Sequence, residues 1–406
     1  MYIKRHIEEA VLQRSKARGA IVVTGARQVG KTTLIENIKP DIPKVTFDDI
    51  LVRKQALESP SVFFNINPPP VFIDEIQYAP DIFHYIKISL DNSKNKGDFF
   101  LTGSQSYELM ENVTESLAGR AGILELYGLS LREMKGESWN IPFKPTLEYL
   151  SQRKSSIQPL GINDKWKIIH RGTLPELVLN SDFEWADFYA DYIKTYIERD
   201  VRRLTQVADE TNFLKFMVVC AAMTGQLLNL SSLANDVGIS VPTVKRWLSI
   251  LKTSGIIFLL QPYSTNVINR VVKTPKIHFL DMGLAAYLTR WMTPETLSIG
   301  ACNGNFFESF VISEILKSYA NAGKEVDLYF LRDGNQREID LLIYENNTLF
   351  PIEIKIKPEP NKKDMKGFSM LDELKETKIG EGGIICMANQ LLPLDKKNYI
   401  IPLEMI

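Results

Sequence analysis

Residues 25 to 33 read Gly25-Ala26-Arg27-Gln28-Val29-Gly30-Lys31-Thr32-Thr33, a complete G-x-x-x-x-G-K-[ST] pattern. An apolar run, Ala20 to Val23, precedes it, and a helix-like run, Thr32 to Ile38, follows. Few folds accommodate a strand, such a loop and a helix in immediate succession. The two glycines allow backbone angles that other residues avoid, so the loop N–H groups can converge on phosphate oxygens. The helix that follows turns its positive end toward the same anion. Gly25 to Thr33 are therefore candidate nucleotide-binding residues. Lys31 is expected to reach the β- and γ-phosphates and the Thr32 hydroxyl to take a Mg²⁺ position.

A second apolar strand, Val71-Phe72-Ile73, ends in Asp74-Glu75. A carboxylate at such a strand end orients Mg²⁺ in phosphate-loop enzymes, and Asp74 fits that place. Glu75 is a candidate general base for an attacking water, which points to hydrolysis as well as binding. A third strand, Phe99-Phe100-Leu101-Thr102, runs into Gly103-Ser104-Gln105. Thr102, Ser104 or Gln105 can hydrogen-bond the γ-phosphate, or they can simply cap the next helix. Asp48-Asp49 ends a further strand-like run. Strands alternating with helical stretches predict a mostly parallel sheet with its ligands at the carboxyl ends of the strands. Arg120 is the first candidate for a cation that stabilises the transferred phosphoryl group, within the chain or on a neighbour; Arg199 is the second.

At 406 residues the chain has room for two to four domains. Its composition, 45% apolar and 24% charged, is that of an ordinary globular protein. A net charge of −1 excludes a wholesale polycation that coats nucleic acid, but not a local basic surface. No run approaches the ~18 apolar residues of a membrane helix, and the charged N-terminus lacks the apolar core of a signal peptide. Cys220, Cys302 and Cys386 are widely spaced and odd in number, as expected of reduced thiols. A cytoplasmic location is expected.

Residues 227 to 251, LLNLSSLANDVGISVPTVKRWLSIL, read as a helix–turn–helix. Gly238 supplies the turn, Ser240 caps the second helix, and Val244, Trp247, Leu248 and Leu251 recur at helical spacing. Ile256 to Leu260 can supply a wing strand. Thr243, Lys245 and Arg246 then lie on the exposed face that enters the major groove in DNA-binding versions. From Gln226 to Leu280 six basic residues (Lys245, Arg246, Lys252, Arg270, Lys273, Lys276) stand against Asp236 alone, a local excess suited to phosphate contacts. Winged helices also serve as packing or protein-contact modules.

Residues 338 to 355, EIDLLIYENNTLFPIEIK, read as a hairpin turning at Asn346-Asn347. Opposed positions then sum to 693, so Asp340 lies opposite Glu353 and Glu338 opposite Lys355, all on one face. Two acids directly opposed are unfavourable without a functional reason, a divalent metal being one. The alternative is a solvent-facing strand pair with a Glu338–Lys355 ion pair. An acid followed by Glu-x-Lys on the next strand resembles the PD-(D/E)xK nuclease core. That resemblance implies Asp340 and Glu353 as ligands of Mg²⁺, Lys355 as a water-activating lysine, and Glu308 as the extra helix acid. The segment departs from the pattern in having Glu-Ile-Asp where Pro-Asp stands.

As a whole the chain resembles the bacterial and archaeal AAA-type ATPases fused to a C-terminal nuclease-like domain. The matching segments are GARQVGKTTLI, VFIDEIQ, FLTGSQS, SLAGRA, YIKTYIERDV, the helix–turn–helix, KTPKIHFLDMGL and REIDLLI…PIEIK. The resemblance implies ATP and Mg²⁺ as cofactors. It also implies an α/β architecture: a P-loop ATPase domain over 1–205, a winged-helix domain over 206–285 and a restriction-endonuclease-like domain over 286–406. DNA is the expected partner, with a homo-oligomer or protein partner open. The rival expectation is an ATP-gated switch or scaffold that binds a protein and cuts nothing. Residues 137 to 165, rich in proline and serine, read as an irregular connection.

Overall fold

A computed structural model of the chain describes residues 2–103, 113, 115–196, 210–264, 274–374 and 377–406. Two compact units emerge: Met1–Leu129 with Thr253–Gly255 and Ala320–Lys324, and Ser130–Lys252 with Ile256–Tyr319 and Glu325–Ile406.

In the first unit, five described strands form a wholly parallel sheet: β1 (Ala20–Thr24), β2 (Lys44–Thr46), β3 (Val71–Asp74), β4 (Phe99–Thr102) and β5 (Ala121–Glu125), in the order β2-β3-β4-β1-β5. Every residue of β1, β3 and β4 is buried, as in a sheet covered on both faces. That explains their continuous apolar runs. Ala20, Val22, Ile73, Phe99 and Leu101 join Phe47, Phe63, Phe83 and Ile86 in one core. Because the strands are parallel, their polar ends gather at one edge. Register makes this concrete: Val23 pairs with Thr102 and Ile73 with Leu101, so Asp74 and Thr102 stand level beside the loop that leaves β1. The strand expected to reach Asp48-Asp49 stops at Thr46, and Asp49 instead caps the helix Ile50–Glu58.

In the second unit, ten described strands form a mixed sheet: β6 (Gln226–Leu227), β7 (Ile257–Pro262), β8 (Lys276–Phe279), β9 (Asp327–Arg332), β10 (Glu338–Glu345), β11 (Thr348–Lys355), β12 (Lys378–Ile379), β13 (Gly382–Cys386), β14 (Leu392–Pro393) and β15 (Asn398–Pro402). The helices Leu230–Val237 and Val241–Thr253 are joined through Gly238, left-handed at φ 85°. Ser240 Oγ accepts from Thr243 N at 3.2 Å, the expected cap. Val244, Trp247, Leu248 and Leu251 are buried. β7 and β8 form an antiparallel pair behind them, and β7 also pairs in parallel with β9. The strands following the helix–turn–helix therefore continue into the C-terminal sheet, and residue 285 falls between β8 and β9 of one sheet. The stretch from 137 to 165 is more regular than its proline content suggests. Thr146 Oγ1 caps the helix Leu147–Lys154, which buries Tyr149, Leu150 and Arg153.

Candidate active site

The phosphate loop takes the backbone shape its glycines were chosen for. Gly25 has φ 143° and Gly30 φ 91°. A Cβ at Gly25 would sit 2.1 Å from the Leu126 carbonyl oxygen, so no larger residue fits there. Lys31 opens the helix Lys31–Ile38, and its buried ammonium donates to the Gly25 and Ala26 carbonyls at 3.1 and 2.8 Å. Ala26, Arg27, Gln28 and Val29 form the body of the loop, and Thr33 is exposed behind it.

Thr32 Oγ1 donates to both Asp74 oxygens at 3.0 Å. Thr102 Oγ1 donates to Asp74 Oδ1 from the neighbouring strand end. Thr32, Asp74 and Thr102, remote in sequence, thus converge beside Lys31. Two hydroxyl-bearing side chains and a carboxylate are hard oxygen donors of the kind Mg²⁺ selects, and Mg²⁺ needs only one or two carboxylates. Glu75 follows at φ 55°, a left-handed angle uncommon for a side-chain-bearing residue, and its carboxylate accepts from Gln77 Nε2. Ser104, Gln105 and Arg199 lie outside the described residues.

Arg120 is not part of this group within its own chain. It immediately precedes β5, whose first residue pairs with Ala20, the first residue of β1. It therefore stands at the amino edge of the sheet, a strand length of ~16 Å from the loop. Its guanidinium is held there by Asp91, at 2.6 and 3.0 Å. Sequence reading missed Arg5. This buried guanidinium donates to the Val29 carbonyl at 2.8 Å and to Tyr127 and Gly128 carbonyls at 2.8 and 3.3 Å, pinning the loop from behind. Its partners lie 24 to 123 residues away, beyond any local pattern in the sequence.

In the second unit the hairpin turns at Asn346 and Asn347, both left-handed at φ 49° and 58°. Leu341 pairs with Ile352 and Glu345 with Thr348, so the pairs sum to 693 as expected. Asp340 Oδ2 accepts from Ile354 N at 2.8 Å and from Lys355 Nζ at 3.0 Å, and Lys355 also reaches Glu353 Oε2 at 3.0 Å. Burial and the nearby Asp340 charge push the Glu353 carboxyl up to about 10. Burial opposes charge on Asp340 too, but the Glu353 hydrogen bond and the Lys355 and Lys276 ammoniums overcome it and hold that carboxyl low.

The other two acids are arranged differently from the expectation. Glu338 does not pair with Lys355; it meets Lys276 at 2.5 Å and Arg332 at 3.4 Å. Glu308, on the helix Asn303–Asn321, is held by Lys276 at 2.9 Å, with the Asp340 charge also acting on it. Burial pushes its carboxyl up to about 7, against the pull of Lys276. Lys276 is itself buried, so it leaves the count of basic residues available to phosphates. Arg270 and Lys273 lie outside the described residues, while Lys245 and Arg246 are exposed. Among the described residues no three His, Cys, Asp or Glu side chains gather as a metal cage. Asp340 and Glu353 share a hydrogen bond, which sets their carboxyl groups side by side.

Comparison with known proteins bears on the fold of the first unit. Residues 17–135 match a family model described as an AAA domain. The first unit carries an AAA-type P-loop domain. Residues 163–295 and 303–406 match two models described as domains of unknown function, DUF8612 and DUF4143. An uncharacterized protein of Mycobacterium tuberculosis is 26% identical over 100% of this chain and 85% of its own length. An uncharacterized protein of Methanocaldococcus jannaschii is 23% identical over 86% of this chain and 77% of its own. Among solved structures, a Walker-type ATPase of Pyrococcus abyssi aligns at TM-score 0.46 and 17% identity, over 71% of this chain and 96% of that one. AMPPCP-bound DnaA from Aquifex aeolicus aligns at 0.28 and 13%, over 61% and 85%. Among the described residues no helix is long and apolar enough to cross a membrane.

Proposed function

We propose that this protein is a Mg²⁺-dependent ATPase whose nucleotide state governs a winged helix and a nuclease-like carboxylate site acting on DNA. The observation that carries the ATPase reading is the convergence of Thr32 and Thr102 on Asp74 beside the loop lysine. Lys31 leaves the loop carbonyls to neutralise the β- and γ-phosphates, while loop N–H groups and the helix terminus hold the remaining oxygens. Thr32 and Asp74 would hold Mg²⁺, which supplies charge stabilisation to the transferred phosphoryl group. Glu75 takes the proton of the attacking water, and Gln77 fixes the direction of its carboxylate. Thr102 orients Asp74, and Ser104 would serve the γ-phosphate. A cation from Arg120 would have to come from a neighbouring copy, which makes a homo-oligomer part of this reading.

The DNA reading is supported by exposed Lys245 and Arg246 on the second helix of the turn and by the Asp340–Glu353–Lys355 group. Three functional segments, near 1–205, 206–285 and 286–406, remain the working division, in a protein acting in the cytoplasm. Asp340 and Glu353 would hold Mg²⁺ or Mn²⁺, which activates water for phosphodiester attack; Lys355 would position that water. A second reading, an ATP-gated scaffold for a protein partner, is favoured by Lys276 and Lys355, which between them contact all four acids of the C-terminal group. DNA cleavage in Mg²⁺ or Mn²⁺ separates the two. The proposal expects wild type to cut single-stranded, double-stranded or branched DNA, and Asp340→Ala and Lys355→Ala to be inactive. No wild-type cleavage of any of these favours the scaffold.

A further inference from the structure

We infer that Lys276 is a built-in counter-cation that confines the C-terminal acidic group to a single divalent ion, held by Asp340 and Glu353. The inference rests on the nuclease-like reading and deepens it by naming the metal requirement. In the sequence Lys276 counts toward a local basic excess suited to phosphate contacts. Its ammonium instead stands between Glu308 Oε1, at 2.9 Å, and Glu338 Oε1, at 2.5 Å. The Phe330 ring lies 5.5 Å from it. A divalent ion using Glu308 would have to displace this ammonium or sit against it, and like charges at such range in a buried site repel strongly.

The lysine is also fixed in place. β8 is paired on both edges, with β6 and with β7. Two residues on from Lys276, and so on the same face of the strand, His278 Nδ1 meets Ser309 Oγ at 2.9 Å. Ser309 Oγ meets Thr224 Oγ1 at 2.9 Å, and Thr224 Oγ1 accepts from Phe279 N at 3.0 Å. Lys276–Glu308 and His278–Ser309 are thus successive rungs between β8 and one helix. Lys355 differs: its side chain is 34% exposed against 4% for Lys276, so it can turn aside for an ion. Lys276 acts through Glu308 and Glu338 as a positioning residue, not as a catalytic one.

Counting Mn²⁺ by electron paramagnetic resonance tests this on the nucleotide-free full chain, with Asp74→Asn in every sample to silence the phosphate-loop site. One ion is expected, lost in Asp340→Asn and retained in Glu308→Gln. Lys276→Met should gain a second ion that Glu308→Gln removes again. Loss of the first ion in Glu308→Gln overturns the inference, as does a folded Lys276→Met protein that still binds one. If Lys276→Met does not fold, the Glu308→Gln result decides alone. An absence of bound Mn²⁺ in every variant removes the Asp340–Glu353 metal reading itself, and the inference with it.

Discussion

Arg5 shows how much of a phosphate loop's shape is set by residues outside its motif. Its guanidinium supplies charge-assisted donors to the Val29 carbonyl within the loop and to the Tyr127 carbonyl beyond β5. Arg5→Met should lower the unfolding free energy by roughly 1.5–3 kcal/mol, the range for hydrogen bonds to charged groups. It should also weaken nucleotide binding; urea unfolding and nucleotide titration check the two. His278 makes a pH-dependent contribution. Burial first, then the Lys276 charge, lower its imidazole from 6.5 to about 3, so it is neutral when folded. Its contribution to stability is present above 6.5 and is lost as pH falls toward 3, by up to about 1.4 kcal/mol per pH unit. His278→Asn, which keeps a partner for Ser309, should lose less stability between pH 7 and 4.5 than wild type does in urea unfolding. Glu353 acts with the opposite sign, but it does so equally in both proteins and cancels in the comparison.

At the scale of elements, legibility followed sequence range. The hairpin was readable to its register because Asn346-Asn347 and two alternating runs lie within eighteen residues. The phosphate loop and the capped helix pair were readable for the same reason. Arg120 and Lys276 were less legible because their surroundings depend on which sheet edge and which helix they meet. Arg120 was a candidate within the chain or on a neighbour, and the parallel pairing of β1 with β5 sets it at the edge of its own sheet far from the loop. Lys276 read as surface charge until Glu308 and Glu338, 32 and 62 positions on, closed around it. A buried lysine in an apolar strand, KIHF, was the one available signal. The exposed basic pair on the second helix of the turn carries its own prediction. Lys245→Ala and Arg246→Ala should each weaken DNA binding and reduce the slope of log affinity against log salt by about one. An unchanged slope in fluorescence anisotropy titrations would remove that helix from phosphate contact.

For the whole molecule, the parallel order of the first sheet turns a local motif into a candidate active site. β4 lies between β1 and β3, so Thr102 and Asp74 arrive beside the loop from strands that sequence alone could not order. The second unit is a single mixed sheet in which strands after the helix–turn–helix lead into the acidic hairpin, which ties the proposed DNA-contacting and DNA-cutting segments to one framework. All of this matters to function only if the first unit hydrolyses ATP. The direct measurement is steady-state phosphate release by wild type and Glu75→Gln, with ATP affinity measured alongside. Wild type should turn over ATP in Mg²⁺, and Glu75→Gln should lose about 10²–10⁴-fold in rate, the usual contribution of a general base, with affinity kept. Equal turnover in the variant would contradict the account.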